Sequence, residues 1–128
     1  MTAGKRATIL VVDDEDDVLN LLRVVLERDG HRILTASDGE TALTLAYDEH
    51  PDAILLDIMM PGMDGWQVLR ALKAEERTRP IPVAMVSART EGREKIIGLQ
   101  EGAVCYIEKP FSTAAVVAEV RSILETSP

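Results

Sequence analysis

The chain of 128 residues is long enough for one domain with a sizeable core, and its hydrophobic content of 46% argues against disorder. A net charge of −8 argues against direct binding to nucleic acid or to anionic membranes. The single cysteine, Cys105, excludes an internal disulfide, and we see neither a signal peptide nor a membrane span, so we predict a single cytoplasmic domain over residues 1–128 with a core at about 7–125.

Short apolar runs alternate with amphipathic segments five times along the chain. We predict strands at residues 7–12, 32–36, 53–57, 82–87 and 103–107. We predict helices at residues 14–28, about 39–50, 64 to the charged segment before Pro80, 91–101 and 113–125. The first helix should bury a stripe of apolar residues, namely Val18, Leu21, Leu22, Val25 and Leu26. Capping-box spacing appears at Ser37 with Glu40 and at Asp64 with Gln67.

This alternation predicts an α/β fold with a doubly wound, five-stranded parallel sheet. Helices should cover both faces through right-handed crossovers, giving a flavodoxin-like three-layer sandwich with five helices. In such sheets, ligands bind at the carboxyl ends of the strands where the strand order reverses. For the order 2-1-3-4-5, that point lies between strands 1 and 3.

Five polar residues follow strand ends at that edge, and the fold should gather them in one crevice. They are Asp13, Asp14, Asp57, Ser87 and Lys109. Carboxylates ~4 Å apart repel by about 4 kcal/mol at an effective dielectric constant near 20, which favours a proton or a cation between them. Oxygen ligands without His or Cys favour Mg²⁺, or Mn²⁺ in its place. With a lysine and a hydroxyl nearby, such a site could transfer a phosphoryl group to Asp57 as the nucleophile.

At these residues the sequence resembles a response-regulator receiver domain of the CheY-like type, used in two-component phosphorelay signalling. The resemblance covers about residues 8–124. It is carried by Leu10-Val11-Val12-Asp13-Asp14-Glu15, Leu55-Leu56-Asp57-Ile58-Met59-Met60-Pro61-Gly62-Met63-Asp64-Gly65, Val86-Ser87-Ala88 and Lys109-Pro110-Phe111. Each element is common alone, whereas the set in this order and spacing is specific.

The resemblance implies that Asp57 accepts a phosphoryl group from a phosphohistidine on a sensor histidine kinase or a histidine phosphotransfer protein. It also implies a metal site formed by Asp14, Asp57, the main-chain carbonyl of Met59 and, through water, Asp13. Lys109 should pair with the phosphoryl oxygens beside a cis bond to Pro110. Such a domain assists its own phosphorylation and dephosphorylation but is a signalling switch, not a metabolic enzyme.

The resemblance further implies a switch pair and a partner surface. Ser87 and Tyr106 should change conformation on phosphorylation, and the surface formed by the fourth predicted helix, the fifth strand and the last helix should bind a partner or form a homodimer. Met59 and Arg89 occupy positions that tune phosphoryl lifetime in the family, and we predict slow self-dephosphorylation from their bulk and charge. At Val104 and Cys105 the chain departs from an often polar pair, and an exposed Val104 would make that surface more apolar.

Each residue also has an ordinary interpretation. Asp14 could simply cap a helix, Ser87 could be a helix-entry hydroxyl, and Lys109 could be a surface lysine. We expect His31 and His50 to be solvated.

Three rival functions stay open. Asp14-Glu15-Asp16-Asp17-Val18 formally matches the nucleophile motif of haloacid-dehalogenase-like phosphatases, but a second acidic pair after a later strand is missing. A flavodoxin-like cofactor binder would need a phosphate loop rich in Ser, Thr and Gly, whereas this loop is acidic. A receiver used only as an interaction module, without phosphorylation, is the third.

Overall fold

Five parallel strands form the centre of the molecule. The computed structural model describes residues 6–88 and 100–126. Its strands are β1 (Thr8–Val12), β2 (Arg32–Ala36), β3 (Ala53–Asp57), β4 (Val83–Ser87) and β5 (Cys105–Glu108). They pair in parallel in the order β2-β1-β3-β4-β5. The α/β fold and the strand order predicted from the sequence are confirmed, with strand ends displaced by at most two residues.

Four helices lie within the described residues. They are α1 (Asp16–Arg28), α2 (Gly39–Glu49), α3 (Gly65–Ala74) and α4 (Thr113–Thr126). The helix predicted at 91–101 falls almost entirely outside the described ranges. No described helix is both long and apolar enough to span a membrane.

The sheet has a separate core on each face because alternate strand residues point to opposite sides. Leu10, Leu56 and Met85 pack with residues of α2 and α3. Ile9 and Leu55 pack on the other face with residues of α1 and α4. The arrangement is the predicted three-layer sandwich.

The predicted apolar stripe of α1 is wrong at one position. Leu21 is 46% exposed, whereas Leu19, which the prediction omitted, is buried. The inward face follows Leu19, Leu22 and Leu26, which are three and four residues apart and therefore share one side of the helix. Leu21 lies outside that spacing.

Of the two predicted capping boxes, one is confirmed and the other is wrong. Asp64 accepts a hydrogen bond from the N–H of Gln67, and the Gln67 side chain accepts one from the N–H of Asp64, both at 2.9 Å. At α2, however, the cap is Asp38 rather than Ser37, because the Asp38 carboxylate accepts the hydrogen bond from the N–H of Thr41 at 2.8 Å.

His31, predicted to be solvated, is buried at the amino ends of the strands. Its Nδ1 accepts a hydrogen bond from the N–H of Ala7 at 3.1 Å, and its Nε2 lies 3.5 Å from Oδ2 of Asp29. Arg121 of α4 also binds Asp29, with Nε 3.0 Å from Oδ2. This group ties the start of β1 to the end of α1 and to α4. His50, in contrast, is exposed as predicted.

Candidate functional site: an acidic cluster at the carboxyl edge of the sheet

The site lies where β1, β3, β4 and β5 end. Asp57 is the last residue of β3 and Ser87 the last of β4, and Asp13 and Lys109 directly follow β1 and β5. Asp13, Asp57 and Ser87 are buried, with exposed fractions of 2%, 3% and 2%. The N–H of Lys109 donates to the carbonyl of Ser87 at 2.7 Å, which extends the pairing of β4 and β5 to the site. Parallel pairing therefore brings residues from distant parts of the chain to one edge, as predicted.

Lys109 is the centre of the charge arrangement. Its Nζ donates a hydrogen bond to Oδ2 of Asp13 at 2.8 Å and lies 3.6 Å from Oδ1 of Asp57. A third carboxylate, Oε1 of Glu15, is 3.8 Å from the same Nζ. The peptide bond between Lys109 and Pro110 is cis, in agreement with the prediction.

Three carboxylates converge beside this lysine. Oxygens of Asp13, Asp14 and Asp57 lie within 4.8 Å of one another, although Asp14 is exposed while the other two are buried. Asp14 does not cap α1, since the N-cap residue is Glu15. The ordinary interpretation of Asp14 as a helix cap is therefore wrong.

The surroundings of Asp57 disfavour its negative charge. Burial, together with the charges of Asp13 and Asp14, raises the pKa of Asp57 to about 6, although Lys109 and the N–H of Met59 act in the opposite direction. Burial also acts to lower the pKa of Lys109, but the hydrogen bond to Asp13 and the neighbouring carboxylates outweigh it and raise that pKa overall. One lysine thus does not neutralise the carboxylates that surround it.

The donor set fits a hard divalent cation. All three side chains offer oxygen, the ligand type that Mg²⁺ and Mn²⁺ prefer, and the excess of negative charge at a largely buried point is what such an ion would neutralise.

A glycine allows the loop after β3 to close against the site. The N–H of Gly65 donates to the carbonyl of Ile58 at 2.9 Å. A Cβ atom at this position would lie 2.3 Å from the carbonyl oxygen of Asp57, far inside van der Waals contact. The motif Asp64-Gly65 therefore has a steric reason: it begins α3 directly against the backbone of the residue that bears the central carboxylate.

Two further predicted site residues, Met59 and Tyr106, are among the described residues. Met59 is 72% exposed next to Asp57, and Tyr106 is half-buried and packs against the core on the side of α2 and α3. Arg89 lies outside the described residues. Val104 is 49% exposed, so the surface beside β5 does carry the apolar residue that the sequence left open.

The sequence prediction gave no separate role to Glu15, which contacts Lys109. The available signal was its position: it follows the aspartate pair and begins α1, where Glu is an uncommon cap. Cys105 is half-buried, and burial, with the adjacent Glu119, raises the pKa of its thiol to about 12. A thiol held in this protonated form is a poor nucleophile.

Comparison with known proteins points to one family. Residues 9–121 match the response regulator receiver domain family. The chain is 45% identical over 119 residues to the alkaline phosphatase synthesis transcriptional regulatory protein PhoP of Bacillus subtilis, which covers 93% of this chain and 49% of PhoP. It is 44% identical over 117 residues to the response regulator PleD of Caulobacter vibrioides, covering 91% of this chain and 26% of PleD.

A solved structure agrees. The chemotaxis protein CheY4 of Vibrio cholerae superposes with a TM-score of 0.89 at 28% identity, covering 94% of this chain and 100% of that one. The chain spans about half the length of PhoP and about a quarter of PleD. The matches decide between the receiver interpretation and the phosphatase and flavodoxin-like rivals. The chain belongs to the response regulator receiver domain family, whose members are signalling domains of two-component systems.

Proposed function

We propose that Asp57 is the phosphoacceptor of this receiver domain and takes its phosphoryl group from a phosphohistidine on a sensor histidine kinase or a histidine phosphotransfer protein. The observation that carries the proposal is the buried Asp57 carboxylate, held 3.6 Å from Lys109 Nζ within a cluster of three aspartates. A buried carboxylate that lies among like charges beside Lys109 is suited to reaction and poorly suited to stabilising the fold.

In the transfer, a carboxylate oxygen of Asp57 attacks phosphorus, and the P–N bond to the donor imidazole breaks. The imidazole leaves with the bonding electron pair and takes up a proton. With a pKa of about 6, Asp57 is mostly ionised at neutral pH and can act as the nucleophile. Lys109, 3.6 Å from Asp57, would pair with the phosphoryl oxygens, and Ser87, at the end of the adjacent strand, would donate its hydroxyl to them.

Asp14, Asp57, the main-chain carbonyl of Met59 and, through water, Asp13 would hold Mg²⁺ or Mn²⁺. When bound, the ion supplies positive charge next to the transferring phosphoryl group. Asp13 also holds Lys109 in place, because it accepts the hydrogen bond from Nζ at 2.8 Å.

The response would pass through Ser87 and Tyr106 to the surface that includes β5 and α4. Tyr106 is half-buried against the core, and a change of charge at Asp57 would bias the position of its ring. The exposed Val104 adds apolar area to this surface, which we propose as the site for a partner or a second copy of the domain. Met59 and Arg89 would tune the phosphoryl lifetime. The domain would act in the cytoplasm as a switch and catalyse only reactions of its own phosphoryl group.

Labelling with acetyl phosphate and Mg²⁺ tests the proposal. Intact mass should show one added phosphoryl group on the wild-type protein. The variant Asp17→Asn should be labelled too, since Asp17 is an exposed aspartate at the end of the acidic run Asp13–Asp17. Asp57→Asn should stay unlabelled. An unlabelled wild type would favour the interaction-module alternative, and a labelled Asp57→Asn would move the acceptor to another residue.

A further inference from the structure

Glu15 occupies a helix cap without capping the helix. It is the N-cap residue of α1, yet its side chain makes no capping hydrogen bond. The caps of α2 and α3, Asp38 and Asp64, both make one. Glu is uncommon at this position, where Ser, Thr, Asp and Asn stabilise a helix best. A capping hydrogen bond therefore does not account for Glu15.

The residue contacts both members of the closest ion pair of the site instead. Its carboxylate lies 3.8 Å from Lys109 Nζ, with the side chain 66% exposed at the rim. Its N–H donates to Oδ1 of Asp13 at 2.9 Å, which orients that carboxylate so that its other oxygen accepts the hydrogen bond from Lys109. Through backbone and side chain, Glu15 holds Lys109 on the side of Asp13.

We propose that Glu15 is a positioning residue that holds Lys109 away from Asp57 before phosphoryl transfer and so slows the uptake of the phosphoryl group. This inference rests on the proposed function of Asp57 and adds to it a residue that sets the rate. Lys109 Nζ is 2.8 Å from Asp13 but 3.6 Å from Asp57. To approach the negative charge that develops on the phosphoryl oxygens at Asp57, the ammonium group must loosen its contacts with Asp13 and Glu15.

Uptake and loss of the phosphoryl group should respond differently. Before transfer, Lys109 is paired with Asp13 and Glu15, and its attraction to Glu15 is weakened on the way to the transition state. After transfer, Lys109 pairs with the phosphoryl group both in the phosphorylated protein and in the transition state for hydrolysis. Removing the Glu15 charge should therefore speed phosphorylation and leave hydrolysis almost unchanged.

The experiment compares Glu15→Gln with Asp16→Asn. Each variant removes one negative charge from the exposed run Glu15–Asp17 and so weakens the general repulsion of a phosphate donor, but Asp16 has no ion pair with Lys109 in the described structure. Rates of labelling by acetyl phosphate in Mg²⁺ are followed by intact mass, and hydrolysis is followed after the donor is removed. Unfolding midpoints in urea confirm that all three proteins are folded.

We expect Glu15→Gln to be labelled about threefold faster than Asp16→Asn, the change that an exposed ion pair typically produces. The hydrolysis rates of the wild type and both variants should agree. Equal labelling of the two variants would overturn the positioning role while leaving Asp57 as the acceptor, and so would a parallel rise in hydrolysis for Glu15→Gln. A wild type that takes up no label at all would overturn both proposals.

Discussion

Charged side chains gather at both ends of the parallel strands, at the amino edge where the strands begin and at the carboxyl edge where they end. Positive and negative charges balance at the amino edge but not at the carboxyl edge. At the amino edge, Asp29 is bound by Arg121 and approached by His31. The hydrogen bond from Arg121 lowers the pKa of Asp29, so this carboxylate is stabilised in its charged form. At the carboxyl edge, Asp57 shares one lysine with other carboxylates, and its pKa is raised to about 6.

The difference separates a group that serves the fold from one that serves a reaction. The amino-edge cluster pairs elements that must stay together, and its charges are neutralised within the chain. Among the described residues, the carboxyl edge carries more negative charge than Lys109 neutralises, which costs stability and leaves a place for a cation and a phosphoryl group.

The largest effect should come from removing the positive charge of Lys109 at the carboxyl edge. Lys109→Ala should lower the rate of phosphorylation by acetyl phosphate by about a hundredfold, the usual cost of losing a group that stabilises charge in a transition state. Arg70→Ala, which removes an exposed positive charge paired with Glu101, is the control and should keep the wild-type rate. A loss of less than about threefold in Lys109→Ala, within the range of an exposed ion pair, would show that Lys109 does not contact the transferring group.

A smaller effect, on the free energy of unfolding, should follow from removing the negative charge of Asp57. The pKa of Asp57 rises on folding from 3.8 to about 6, so the unfolded state binds fewer protons between these values and stability falls as the pH rises through them. The full shift corresponds to about 3 kcal/mol, and because a buried Asn has its own cost, Asp57→Asn should stabilise the protein by about 2 kcal/mol at pH ~8.

Urea unfolding in EDTA at several pH values measures this difference. The stabilisation should shrink as the pH falls from about 6 towards 4. Below that it should become a destabilisation of about 1 kcal/mol, because Asp57 is then protonated in both states and only the cost of the buried Asn remains. A stabilisation that stays constant down to low pH would mean that charge is not its cause.

At the amino edge, replacing a buried polar side chain should destabilise the protein, whereas Asp57→Asn should stabilise it. His31→Leu leaves the buried N–H of Ala7 without its acceptor and should lower the free energy of unfolding by about 1–2 kcal/mol. His50→Leu, at an exposed position, is the control and should change it by less than about 0.5 kcal/mol. A His31→Leu protein as stable as the wild type would mean that the cluster of Asp29, His31 and Arg121 does not support the fold.

The sequence was sufficient for the fold and for the members of the site because both depend on local pattern. Apolar runs ending in Asp13, Asp57 and Ser87 placed these residues at strand ends, and parallel topology then brought them to one edge. The sequence could not show that Leu21 faces solvent, since that depends on which side of α1 packs against the sheet. It also missed the burial of His31 and the reach of Glu15 to Lys109, because both are contacts between residues far apart in the chain.

Binding of Mg²⁺ to the unphosphorylated protein, measured by calorimetry, tests the central contrast most directly. The wild type and Asp29→Asn should bind one ion with similar affinity, because the amino-edge carboxylate is already neutralised by Arg121. Asp57→Asn should lose most of that affinity. Equal binding by all three proteins would contradict the account, since the excess negative charge at the carboxyl edge would then have no part in holding the ion.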